Sequence, residues 1–137
     1  MRLPLVLAVA GLGILVAIAA ILYASAQESA PATPPGLRQV PAPIDRLDVV
    51  VRDSQPPQVT LKVTAGLPSG CAKRDSYSVK RSGDAITVSV LNTMPTGDPI
   101  CTMIYGTYDL TIDLGTEFRA GTTYTVRVNE KTTTFRA

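Results

Sequence analysis

Val59-Thr60-Leu61-Lys62-Val63-Thr64 reads apolar, polar, apolar, polar without a break. Successive side chains of an extended chain point to opposite faces, so this spacing gathers Val59, Leu61 and Val63 on one face and leaves Thr60, Lys62 and Thr64 to water. The same period of two governs the sequence on either side. Upstream, Leu47, Val49 and Val51 share a face. Downstream come Tyr77 and Val79, then Ile86, Val88 and Val90 against Thr87 and Ser89. A longer run starts near Thr102 and ends on Leu110, Ile112 and Leu114, followed by Tyr124, Val126 and Val128 and by Thr133 with Phe135. Turn-forming residues separate the runs at Asp53-Ser54-Gln55-Pro56-Pro57, Ser82-Gly83-Asp84, residues 115–121 and Asn129-Glu130. About seven short strands over residues 46–137 predict an all-β fold, an antiparallel sandwich of two sheets.

The stretch before this domain has a different composition. Residues 3–22 are twenty consecutive residues without a charge, preceded by Arg2 and followed by Tyr23-Ala24-Ser25-Ala26. An apolar run of that kind marks export, and residues 1–26 are expected to be an apolar helix serving as signal peptide or transmembrane anchor. The Ala24-Ser25-Ala26 site favours cleavage, whereas the length favours an anchor, and both readings place the remainder outside the cytoplasm. Residues 27–45 read as a disordered linker rich in proline and alanine, with prolines at 31, 34, 35, 41 and 43. In polyproline II form such a linker would hold a domain roughly 50 Å from a membrane at ~3.1 Å per residue.

Within the sandwich, Phe118-x-x-Gly121-Thr122-x-Tyr124-x-Val126-x-Val128 resembles the late strands of fibronectin type III and bacterial immunoglobulin-like domains. The resemblance implies an immunoglobulin-like sandwich, of the kind found in small bacterial secreted proteins. It also implies that Tyr124 is a structural corner whose hydroxyl bonds back to backbone.

The chain has two cysteines, Cys71 and Cys101. Outside the cytoplasm thiols tend to pair, and if the chain reverses at each turn the loops over residues 66–75 and 93–101 emerge at one end of the sandwich. A structural disulfide is therefore expected, since no Cys-x-x-Cys and no histidine is present to make either thiol reactive.

Histidine is absent from all 137 residues, which removes Ser-His and Cys-His pairs and most zinc sites. Asp109 and Asp113 fall on one side of a strand some 13 Å apart at ~3.3 Å per residue, too far for paired acid catalysis. Asp98 is a single carboxylate where calcium needs several oxygens. No catalytic residue, metal site or cofactor is expected. The 13 basic and 11 acidic residues leave a net charge of +2, and Lys73-Arg74 and Lys80-Arg81 are too short to form the basic stripe that nucleic acid requires.

Function is then expected on loops held by a rigid sandwich. Strand parity groups the loops over residues 66–75, 93–101 and 129–131 at one end. The first two hold Leu67, Met94, Pro95 and Ile100, apolar residues that no strand face claims, which makes them a candidate rim for binding an extracellular or cell-envelope protein or glycan. Contact with a membrane is expected only through the N-terminal segment, if it is retained. Asn92, Pro95, Thr96 and Gly97 also resemble the Asn-Pro-Thr-Thr-Gly loop of chagasin-type inhibitors of cysteine peptidases, which implies a second reading as such an inhibitor. The chain has no tryptophan to supply that family's Arg-Pro-Trp element.

Overall fold

The computed structural model describes residues 36–137, and the expectations for residues 1–26 and 27–35 lie outside them. Eight strands follow in chain order: β1 (Leu37–Pro41), β2 (Ile44–Arg52), β3 (Gln58–Leu67), β4 (Lys73–Ser82), β5 (Ala85–Pro95), β6 (Gly106–Gly115), β7 (Thr123–Val128) and β8 (Lys131–Arg136). They form two sheets. One has the order β2-β3-β6; in the other β1, β4 and β7 all pair with β5, and β8 pairs with β7. The period-two residues make the core: Val59, Leu61 and Val63 of β3 face Ile86, Val88 and Val90 of β5 and Val126 and Val128 of β7, all fully buried. Each such side chain stabilises the fold by roughly 1.5–3 kcal/mol relative to an exposed one.

Two expectations about the start of the domain are corrected. The supposed linker over residues 27–45 is strand from Leu37 onward, so there are eight strands and the sandwich begins before residue 46. Proline-rich composition hid this, because Pro41 and Pro43 read as breakers. Here they sit where the chain leaves one sheet for the other. β1 pairs with β5 alone, so Pro41 occupies an edge strand, the position where a missing N–H is tolerated. Beyond it Ala42 donates to the Val90 carbonyl, the Pro43 carbonyl accepts from Gly66, and Ala42 and Ile44 enter the core. The strand expected from about Thr102 starts at Gly106.

The sandwich is also not wholly antiparallel. β7 runs parallel to β5, with Ala85 opposite Thr125 and Val88 opposite Val128. After β5 the chain crosses to the other sheet as β6 and crosses back as β7. Two reversals restore the original direction, so β7 arrives parallel to the strand it joins.

β7 reaches only as far as Val88, and β1 takes over the same side of β5 from Leu91 to Pro95. Between them Val90 would lack a partner strand. The side chain of Asn129 fills the gap: its Oδ1 accepts from the Val90 N–H at 3.0 Å, and its Nδ2 donates to the carbonyls of Ala42 and Val90 at 2.7 and 2.8 Å. Asn129 has φ 48, a left-handed conformation that asparagine tolerates better than most residues, in the two-residue turn between β7 and β8. Replacing it tests the junction. Asn129→Gly keeps the backbone conformation but removes the side chain, and urea denaturation should show a loss of about 1–3 kcal/mol, the cost of an unpaired buried donor. An unchanged midpoint would mean that the side chain does not carry the junction.

Candidate functional site

The loops over residues 68–72 and 96–105 meet at one end of the sandwich. Cys71 and Cys101 are joined by a disulfide with a Cα–Cα distance of 5.5 Å and a sequence separation of 30. Closing a loop of that length stabilises the fold by about 3 to 4 kcal/mol on the chain-entropy account. Beside the disulfide the Gly70 N–H donates to the Thr102 carbonyl at 2.9 Å. Two glycines let the longer loop lie flat. A Cβ at Gly66 would overlap the Tyr105 hydroxyl, and one at Gly70 would overlap the Thr102 side chain. Tyr105 lies across the end of β3 and donates its hydroxyl to Asp45 Oδ1 at 2.9 Å.

That loop exposes an unusual amount of apolar surface. Ile100 is 103% exposed, Met103 88%, Ile104 73% and Tyr105 50%, so three of the four have almost no protein around them. The four rim residues read from the sequence fare differently. Ile100 stands on the loop, whereas Leu67 ends β3 and Met94 and Pro95 end β5, all three half-buried, with Met94 opposite Arg38 and Pro95 opposite Leu37 of β1. Met103, Ile104 and Tyr105 were hidden in the stretch read as the start of a strand. A signal was present: Met103-Ile104-Tyr105 breaks the alternation that begins only at Tyr108-Asp109-Leu110.

The third loop expected at this end meets its edge at Asp45, the residue that also takes the Tyr105 hydroxyl. The turn at Asn129-Glu130 tucks beneath β1, with Glu130 Oε1 accepting from the Ile44 N–H and Lys131 Nζ donating to the Asp45 carbonyl.

Asn92, which carried the likeness to an inhibitor loop, is fully buried in β5. Its Nδ2 donates to the Gly66 carbonyl at 2.8 Å and its Oδ1 accepts from the Tyr108 hydroxyl at 2.7 Å, tying β5 to β3 and β6 across the sandwich. Burial pushes the Tyr108 hydroxyl above its ordinary pKa, with Arg74 opposing and Asp75 adding to the shift. Of that motif only Thr96 and Gly97 lie in the loop.

At the opposite end, Tyr124 accepts a hydrogen bond at its hydroxyl from the backbone N–H of Arg119, 2.9 Å away. Its ring packs against Phe118 and Phe135 with centroids 5.0 and 5.4 Å apart. An open groove of about 550 Å3 nearby is lined by Val51, Pro56, Pro57, Phe118 and Ala120 among others. Acidic side chains are engaged locally: Asp109 accepts from Thr64, and Asp113 from the Gly115 N–H. Among the described residues no group of three or more His, Cys, Asp or Glu side chains is placed to hold a metal ion.

The hydrogen bond to Asp45 raises the Tyr105 pKa above 10.0, since the neutral phenol is the donor and the nearby carboxylate opposes a phenolate. A phenol whose folded-state pKa is raised favours the folded arrangement below pH ~10 and loses that preference as pH climbs through the higher value. Spectrophotometric titration at 295 nm, with Tyr105→Phe as the reference that identifies this residue's contribution, should place it above the ordinary tyrosine value. In Asp45→Asn it should fall back towards the ordinary value. A titration that Asp45→Asn leaves unchanged would show that Tyr105 is not docked there.

The family profile described as the ORF11 beta-sandwich domain matches residues 61–137, which is more than half of the chain and runs from the middle of β3 to the C-terminus. No curated protein and no solved structure matches the chain.

Proposed function

The chain belongs to the ORF11 beta-sandwich domain family, and from that premise we propose that it is an extracytoplasmic, non-catalytic binding module that presents one loop from a disulfide-stapled sandwich. The observation that carries the reading is the loop itself. Ile100, Met103 and Ile104 stand in solvent on a segment fastened covalently at Cys101. Large exposed apolar residues grouped on one segment are a mark of an interaction surface, and a fastened loop loses little entropy when it docks.

Compartment is argued from two independent features. The uncharged run over residues 3–22 has the composition of an export or anchoring segment, and a disulfide between the chain's two cysteines suits an oxidising environment. The lack of histidine and the local engagement of Asp109 and Asp113 favour binding over catalysis.

Expression of the full chain in a bacterial host, followed by fractionation and thiol alkylation of the denatured, unreduced protein, tests both features together. The protein should leave the cytosolic fraction and carry no alkylated cysteine. Recovery in the cytosol with two alkylated cysteines would overturn the reading. Intact mass of the same material separates cleavage after Ala26 from a retained anchor.

A further inference from the structure

We propose that two copies of this chain join side by side, with β4 of each adding as a strand to the open edge of β6 in the other. The surface is separate from the loop end, and it follows from a step between the two sheets.

The sheets are unequal in width. One is four strands across, in the order β8, β7, β5 and β4 with β1 continuing the line of β7, and the other has only β2, β3 and β6. At one side of the sandwich β2 meets β8. At the other, β6 lies opposite β5, where the Tyr108 hydroxyl donates to Asn92. β4 therefore overhangs by one strand, with no strand opposite it among the described residues. The register shows which side chains this leaves bare. Tyr77 pairs with Val90 and Val79 with Val88, so both share the face that β5 buries in the core, yet they are 45% and 42% exposed. Arg74 and Arg81, on the same face, are turned onto the molecule's own smaller sheet. Arg74 lies over the Tyr108 ring at 5.8 Å; Arg81 lies over Phe118 at 4.2 Å and donates to the Glu117 and Leu114 carbonyls at 3.0 and 3.2 Å. The two arginines bound a slot at either end. Its floor is Tyr77 and Val79, and its wall is the edge of β6, which among the described residues pairs only with β3. Alternate residues along such an edge turn backbone N–H and C=O groups outward with no strand to bond them.

The step is its own complement. A twofold axis running along the strands exchanges the two layers without reversing strand direction, so on both layers the wider sheet of one copy meets the narrower sheet of the other. β4 then lies beside β6 of the second copy in each layer. The two β4 strands face each other across the axis, Tyr77 and Val79 of one packed on Tyr77 and Val79 of the other. Both β4 and β6 start at the loop end, so each new pair is parallel.

Charge on the outer faces agrees with this arrangement. β4 turns Lys73 and Lys80 outward as partners of Thr93 and Thr87, and β6 turns Asp109, Thr111 and Asp113 outward. Neither aspartate is in an ion pair among the described residues. Arg74 stands level with Tyr108 and Arg81 with Leu114, so Lys80 of one copy comes beside Asp113 of the other, and Lys73 towards Asp109. Pairing β4 with β4 about an axis normal to the sheets is the other symmetric choice. It would set two basic strands together and leave two vacant strand places between the β6 edges, with Tyr77 and Val79 still uncovered.

Sedimentation equilibrium of the full chain in density-matched detergent should give twice the chain mass. Tyr77→Asp combined with Val79→Asp should give a monomer with the circular dichroism and urea midpoint of the parent, since both side chains are half-exposed. Lys80→Asp should weaken the dimer about tenfold, and adding Asp113→Lys should restore it. Linking reads the arrangement directly: chains carrying Lys80→Cys, mixed with chains carrying Asp113→Cys, should join through a short bismaleimide, and Lys80→Cys chains alone should not.

A monomeric parent overturns the proposal. A dimer that keeps its mass with both Asp substitutions also overturns it, by assigning the contact to another segment such as residues 3–22 or the apolar loop. Lys80→Cys chains that link to one another would show β4 against β4 and overturn it too. If the Tyr77 and Val79 double variant fails to fold, the linking pattern decides.

Discussion

β5 must satisfy three other strands, and the rest of the sandwich is arranged around that demand. One side is covered along its length by β4, with a register shift between Arg74 and Tyr77. The other side is divided, with β7 alongside Ala85 to Val88 and β1 alongside Leu91 to Pro95. A buried strand with an uncovered residue at its centre would leave polar backbone groups without partners, each costing about 1–3 kcal/mol. Asn129 supplies the missing bonds from a side chain, at the one turn conformation that brings it there. The chain's other asparagine, Asn92, ties the same strand to the opposite sheet. Both asparagines are therefore occupied in fixing β5 in place.

The divided edge also explains the asymmetry of the two ends. Because the pairing of β7 with β5 stops at Val88, β1 takes the remaining length of that side of β5. Space at that end is left to the two loops that the disulfide joins, and the chain enters beside them. Fold, covalent staple and point of entry thus converge on one surface, and the apolar residues of the longer loop are concentrated there.

Much of this was legible in the residues. Strict alternation in Val59–Val63, Ile86–Val90 and Tyr124–Val128 marks strands because burial of one face leaves little freedom in the pattern. Expected compartment and strand parity together paired Cys71 with Cys101. Three features escaped for physical reasons. β1 lies at an edge and is largely exposed, so it has no alternation to read, and its prolines resemble a linker. The parallel pairing of β7 depends on which neighbour it meets after crossing the sandwich, which no local pattern encodes. The apolar tip at Met103 and Ile104 merged with the strand that follows, since two hydrophobic residues before a true strand look like its beginning. β4, exposed throughout, was visible only through Tyr77 and Val79.

Hydrogen exchange at the Val90 amide tests the central claim most directly, because that proton has no strand opposite it and is held by a side chain instead. The account predicts that it exchanges as slowly as the amides of Leu61 and Val63 in the middle of the other sheet, only when the whole domain unfolds. Exchange on the timescale of an exposed loop would contradict it, and would mean that β1 and β7 meet β5 with water, not Asn129, between them.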